Sequence, residues 1–321
     1  MRTALIVTLI SLGLAACQPE PEPLPTLAAL PVRPLIVGTL PPTPLLALQP
    51  TQPPTLLPSP TPSATPTLTA TVTATPSPPP PTPTLTPTLL PARFTFGQSV
   101  QGRPLEAYRF GTGRQIILLV GGVHAGFERN TTRLIERIRD HLSAFPQDVA
   151  ADVQFILVPR LNPDGDALGA TLAGRFNANG VDLNRNWACG WQAEARFRDQ
   201  IVSAGTQPFS EPEALALGGF IQQTRPAVVL FYHSAANGVF KGHCNDVSVS
   251  EDLARIYGDA AQYPYGQTFS AYPVTGTAPS WVDSLGIPSA DVELASASDD
   301  EFIRNWNALN AVQRWLTEGR P

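Results

Sequence analysis

Gln115 to Val120 (QIILLV) is an unbroken apolar run ended by Gly121 and Gly122, the form expected of a strand covered on both faces. Just beyond it, Leu134, Ile135, Ile138 and Leu142 recur at helical spacing, which predicts a helix over 131–145. The alternation repeats: Val153 to Val158 reads as a strand, Glu211 to Thr224 as a helix, Ala227 to Tyr232 as a strand, and Asp300 to Thr317 as a closing amphipathic helix. Strands and helices in this order predict an α/β layered domain over 93–321 with a mostly parallel sheet. In such sheets the chemistry collects at strand ends.

No such pattern precedes Arg93. From Gln18 to Ala92 Pro, Thr, Ser, Leu and Ala dominate without a periodic apolar face, so the stretch reads as a stalk favouring polyproline II. At about 3.1 Å per residue its upper reach is on the order of 200 Å. Its Thr and Pro content also permits O-glycosylation. Residues 1–17 have one arginine, a short apolar run and small residues before a cysteine, the layout of a bacterial secretory signal with a lipobox ending at Cys17. The run is too short for a membrane span. Cleavage before Cys17 and its acylation are therefore expected to anchor an extracytoplasmic protein to a bacterial membrane. Only Glu20, Glu22 and Arg33 are ionisable between 18 and 92, so the net charge of -5 belongs to the domain, and this mild acidity gives no sign of nucleic-acid binding.

The richest polar chemistry lies in Arg175 to Trp187, RFNANGVDLNRNW. Asn177, Asn179 and Gly180 supply turn chemistry, while Val181 and Leu183 alternate with Asp182 and Asn184 as in a short strand or extended loop. Arg175 and Arg185 carry planar forks that suit a carboxylate or an oxyanion, and Asn184 adds an amide donor. Alone, the string reads rather as an Asn-rich turn whose arginines pair with structural acids, and it is the company elsewhere in the chain that reverses this. Of the four histidines, His124 and His233 each follow a hydrophobic strand and can converge at the sheet's edge. His141 sits on the amphipathic helix and His243 in the polar loop KGHCND; both read as surface or capping residues.

DLNR, together with NPDG at 162–165, FSEPEA at 209–214, FYHS at 231–234, and YPVTGTAPSW followed by VEL ending at Leu294, resembles the M14 zinc carboxypeptidases. The match is collinear from about Phe94 to the C-terminus. It implies an α/β/α sandwich around a mixed, mostly parallel, eight-stranded sheet. It also implies one zinc ion on His124, Glu128 and His233 with a position left open. Three residues separate His124 from Glu128 where the family has two, and Gly126 is the residue that lets the loop bulge.

By the same resemblance Asp182 orients the first histidine, Glu293 is the general base, Arg175 stabilises the oxyanion and Tyr272 closes over substrate. Asn184 and Arg185 take the terminal carboxylate, and Trp281 reads as packing. The family's specificity position falls near Pro279, which carries no charge and so indicates neither a basic nor an acidic preference. Cys189 and Cys244, left after Cys17, are expected to pair in an oxidising compartment. The activity implied is that of a membrane-anchored zinc metallocarboxypeptidase acting on peptides with a free C-terminus. A peptidoglycan stem-peptide peptidase and an inactive peptide-binding module remain as alternatives.

Overall fold

The structure, a computed structural model, describes residues 92–319 apart from 246 and 268. Cys17, the leader and all but the last residue of the stalk lie outside the described residues. The strands are β1 Arg93–Gln98, β2 Pro104–Gly111, β3 Gln115–Val120, β4 Val153–Val158, β5 Glu194–Phe197, β6 Gln200–Ser203, β7 Val228–Ser234, β8 Gly238–Lys241 and β9 Ser289–Leu294. The helices are α1 Arg129–Ala144, α2 Pro163–Ala167, α3 Pro212–Thr224, α4 Glu251–Ala261, α5 Ala278–Ser284 and α6 Phe302–Glu318.

Seven strands form one sheet in the order β1-β2-β4-β3-β7-β9-β8, with β4, β3, β7 and β9 parallel to one another. The strands β2 and β8 run against them. Among the described residues the sheet thus has seven strands where the resemblance implied eight, and β5 and β6 pair with each other as a separate hairpin. β3, β4 and β7 are covered on both faces, which is why their sequences are continuously apolar rather than alternating. Helices α1, α4 and α6 pack on one face around Leu119, Phe155, Leu230 and Val292. Helices α3 and α5 pack on the other around Leu118, Ile156, Val229 and Phe231, giving an α/β/α sandwich.

The first face carries a polar thread through its core. Tyr257 on α4 lies with its hydroxyl 3.0 Å from that of Tyr232 on β7 and donates to Asn305 Oδ1 on α6 at 2.7 Å. Burial holds the Tyr257 hydroxyl well above its usual pKa of 10.0. Tyr257→Phe leaves Asn305 Oδ1 without its buried donor and is expected to destabilise the domain by about 1–3 kcal/mol in urea unfolding at neutral pH. Because the folded-state pKa is raised, the contribution of this proton is intact below pH 10 and declines as the pH rises above it.

β3 has its two parallel neighbours on opposite sides: α1 leads from it to β4, whereas β7 enters on the other side after α3. A crevice opens outside the carboxyl ends of strands at such a reversal. His124 lies just past β3, His233 at the end of β7, and Glu293 at the end of β9, where it is paired in register with His233.

Candidate active site

Three buried side chains meet at this crevice. His124 Nδ1 lies 2.9 Å from Glu128 Oε1, and His233 Nδ1 lies 3.0 Å from Glu128 Oε2. One donor atom from each of the three residues falls within 4.8 Å of the others. The outward nitrogen of His124, Nε2, is 2.9 Å from Asp182 Oδ1, so that ring turns Nδ1 toward the group and Nε2 toward a supporting carboxylate. Burial alone would raise the Glu128 carboxyl, but the two facing imidazoles overcome it and hold the group far below the usual carboxylate range. Asp182 is likewise held low against its burial, first by Arg175 and then by His124.

The additional residue between His124 and Glu128 is absorbed by a helical turn, not by a bulge at Gly126. Glu128 N donates to His124 O at 2.8 Å, and side chains four apart across such a turn share one face. Gly126 serves a different purpose: a Cβ there would meet Gly165 O at 2.2 Å and Gly169 O at 2.5 Å, so only glycine permits this approach to the neighbouring loop. Glu128 is also the N-cap position of α1, yet makes no side-chain cap, its carboxylate being turned to the imidazoles.

The loop 175–187 holds a short helical turn in its second half, Leu183–Arg185, where the alternation of Val181 and Leu183 suggested a short strand or extended loop. Val181 makes only an isolated bridge to Ser203. Asp182 caps that turn by accepting from Asn184 N at 3.0 Å. The turn separates the two arginines. Arg175 stands with the metal group, donating to Asp182 Oδ2 through Nε at 2.9 Å and to Glu128 Oε1 through Nη1 at 3.3 Å, with its Cζ 3.8 Å from the centroid of the Phe197 ring. Arg185 stands apart, donating to Arg196 O at 3.1–3.2 Å and to Asn184 O at 2.6 Å. Asn184 Oδ1 accepts from Ala278 N at 2.9 Å, which fixes its amide at the start of α5.

These groups line one cleft of about 1510 Å³ that also takes in Glu293 and Tyr272. Glu293 Oε2 accepts from Ala236 N at 3.1 Å. Burial pushes its carboxyl up to about 7; the charges of Glu128 and Asp291 add to this and His233 opposes it. Tyr272 is half-buried, with its ring 5.9 Å from Phe197 and 4.9 Å from Phe269. Phe197 belongs to the β5–β6 hairpin and packs in a small apolar cluster with Phe127, Phe176 and Trp191, of which Phe127 and Phe197 line the cleft. Nothing in the sequence marked this hairpin, because its four-residue strands give too short an alternation to distinguish from loop.

The remaining candidates fall elsewhere. Trp281 packs against Trp187 at 5.2 Å and Phe209 at 5.0 Å beneath the cleft. His141 pairs with Asp148 and lies 4.4 Å from the Trp306 ring, remote from the metal group. His243 is exposed at the cleft rim. Asp291 also lines the cleft but was missed in the sequence. The period-two spacing of Asp291 and Glu293 was the available signal, since it places both on one face of β9.

Cys189 and Cys244 are joined by a disulfide with Cα atoms 6.0 Å apart. The bridge ties the segment after Trp187 to the loop after β8, and both stretches line the cleft. Thiol labelling of the denatured, unreduced protein should therefore find neither cysteine reactive. Closing a loop with sequence separation 55 restricts the unfolded chain, and reduction is expected to cost about 4 kcal/mol in the loop-entropy model.

Comparison with known proteins agrees with this geometry. The murein peptide amidase A of Escherichia coli K12 is 32% identical over 166 residues, covering 48% of this chain and 64% of that protein. Zinc carboxypeptidase A 1 of Anopheles gambiae is 26% identical over 232 residues, covering 62% of this chain and 52% of that one. The chain thus spans less than two thirds of the length of these relatives. The crystal structure of murein-tripeptide amidase from Escherichia coli O157 superposes with a TM-score of 0.52 at 24% identity, covering 71% of this chain and 94% of that one, a likeness of fold. The family model described as zinc carboxypeptidase, Peptidase_M14, matches residues 90–314, and with that span of the fold and the cleft inside it, the chain belongs to the M14 zinc carboxypeptidase family.

Proposed function

We propose that the protein is an extracytoplasmic, lipid-anchored zinc metallocarboxypeptidase that removes the C-terminal residue of peptides. The observation that carries the peptidase part of this reading is the convergence of two inward-facing imidazoles and a carboxylate beside a buried glutamate, in a cleft that also holds Asn184 and Arg185; the anchor rests on the sequence of residues 1–17. His124, Glu128 and His233 would hold zinc: two nitrogens and one oxygen in a buried setting fit it with a position left open. When bound, zinc supplies Lewis acidity, which acidifies water and polarises a carbonyl.

The chain's own residues do the rest. Arg185 and Asn184 bind the terminal carboxylate and so fix which amide lies over the metal group, a positioning effect that is itself a large share of catalysis. Glu293 takes a proton from the attacking water at its carboxylate and returns it to the departing amine. A carboxyl raised to about 7 is suited to both transfers, because its pKa lies near the working pH. Arg175, with Nη1 at the edge of the metal group, stabilises the oxyanion, and Tyr272 and the β5–β6 hairpin shield it from water.

A second reading, a peptidase for the stem peptides of peptidoglycan, is favoured by the 32% identity to murein peptide amidase A and suits a catalytic domain on a long stalk. An inactive binding module would lack the metal. The test is zinc content after dialysis, followed by release of the terminal residue from a linear peptide, its C-terminal amide and a stem-peptide fragment. Stoichiometric zinc with cleavage of the free-acid peptide alone is the expected result; equal cleavage of the amide overturns the terminal-carboxylate reading. Arg185→Ala should keep its zinc and lose on the order of 10²-fold in kcat/KM on the free-acid peptide, much of it in KM.

A further inference from the structure

Asn130 is a fully buried polar side chain two residues after Glu128, and none of the catalytic roles falls to it. Its amide joins three segments that each leave an element of the site. Nδ2 uses both hydrogens on the loop after β9, donating to Ser296 O at 2.7 Å and to Asp299 O at 3.0 Å. Oδ1 accepts from Ser234 Oγ at 2.9 Å, and Ser234 is the last residue of β7, next to His233. The two carbonyls fix which way the amide faces, since an oxygen turned toward them would have nothing to accept from. Among the described residues, Ser234 Oγ makes no other hydrogen bond.

The place of this tie gives it a consequence. Parallel pairing of β7 with β9 ends at Ser234 and Leu294, one step beyond the pair of His233 and Glu293. Past that point the chains part: residues 235–237 turn into β8, and 295–301 lead to α6. Within the first of these turns Ala236 N donates to Glu293 Oε2 at 3.1 Å. The second has anchors of its own, for Glu301 Oε1 accepts from Ala295 N at 2.6 Å and from Ser296 N at 3.1 Å, and Arg133 reaches Ser298 O. Asn130 thus rests on a held loop and passes that hold to Ser234. We propose that Asn130 is a positioning residue for the general base: by holding Ser234 it fixes the turn 235–237, so that Ala236 N keeps the Glu293 carboxylate in one orientation in the cleft. The inference rests on the assignment of Glu293 as the base and adds a residue to that site. An amide suits the task because it satisfies two carbonyls and a hydroxyl in a buried setting without placing a further charge beside the metal group.

Ser234→Ala is the direct test, because it removes one end of the tie and leaves both carbonyl bonds of Asn130 and the anchors of 295–301 in place. The zinc-loaded variant should keep its metal and its urea midpoint, hold KM on a free-acid peptide within about twofold, and lose roughly tenfold in kcat. Ser234→Thr, which restores the hydroxyl, should regain most of that loss. Asn130→Ala should lose on the order of 10²-fold in kcat, and the double variant should be no worse, since both substitutions remove one contact. Should Asn130→Ala fail to fold, the two Ser234 variants decide alone. Unchanged kcat in Ser234→Ala overturns the proposal whatever happens to stability, because the tie would then be purely structural. Loss of zinc in that variant also overturns it, because Ser234 would then act through His233, and so does strict additivity of the two alanine variants.

Hydrogen exchange separates this inference from the assignment it rests on. In the zinc-loaded protein the amide of Ala236 should exchange at least about tenfold faster in Ser234→Ala than in the wild type, because the turn that carries it is no longer held. A fall in kcat without faster exchange overturns the proposal, since the effect would not pass through the turn. If Glu293→Gln keeps its turnover while Ala236 exchanges faster in Ser234→Ala, the base assignment fails and the tie stands. If Glu293→Gln is inactive while Ser234→Ala exchanges and turns over as the wild type does, only this inference fails.

Discussion

Glu293→Gln is expected to leave the fold and the zinc content intact while lowering kcat by roughly 10²- to 10⁴-fold, the range that a positioned general base contributes. The amide has the size of the carboxylate, and its oxygen can still accept from Ala236 N, now at 3.1 Å from Glu293 Oε2, so the loop after β7 keeps its anchor. What disappears is the capacity to hold a proton. The native carboxyl, pushed to about 7 by burial, sits where it can take a proton and give it back near neutral pH, whereas an amide oxygen cannot be protonated there. Turnover on a free-acid peptide, measured beside metal analysis of the same sample, decides the matter. Near-normal turnover with zinc retained would remove Glu293 from the mechanism.

Glu128→Ala should have the other large effect, abolishing tight zinc binding and activity together. Without this carboxylate the group is reduced to two neutral imidazoles, and the Nη1 of Arg175 that now lies 3.3 Å from Glu128 Oε1 stands beside them with its charge uncompensated on that side. Both changes disfavour a divalent cation, and affinity should fall by at least about 10²-fold, more than the loss of a supporting second-sphere partner brings. Helix α1 should survive, because Glu128 contributes no side-chain cap and its carbonyl, which accepts from Thr131 N at 3.0 Å and Thr131 Oγ1 at 2.8 Å, is unchanged. Zinc per protein after exhaustive dialysis, with circular dichroism as the control for folding, tests both halves. Full zinc occupancy in the variant would mean that another residue completes the site, with His243 at the cleft rim the first to examine.

The two variants fail differently for a physical reason visible in their surroundings. Glu128 is clamped between two rings and a guanidinium, so removing it leaves charges and donors without their partner. Glu293 has one hydrogen bond and a raised pKa, so its isosteric amide costs the fold little and the chemistry a great deal.

By itself the sequence determined the layered α/β class, because β3, β4 and β7 are apolar throughout and only a sheet covered on both faces accommodates such strands. It also determined the two histidines at the sheet's edge, since each directly follows or ends one of those runs. The helix ends moved by one or two residues, because caps depend on where neighbouring side chains are engaged; Glu128 shows this, its carboxylate drawn to the metal group rather than to the end of α1. The tertiary structure alone decided how three intervening residues still return Glu128 to His124, through a backbone turn whose closeness to residues 165–174 only Gly126 allows. It alone set Arg175 beside the metal group and Arg185 away from it, because the turn at Leu183–Arg185 reorients the chain between them. The partner of Asp291 was likewise invisible in order: its spacing from Glu293 puts both on one face of β9, but only the pairing of β9 between β7 and β8 brings that face to the cleft and Asp291 to within 3.3 Å of His233, a consequence of sheet register.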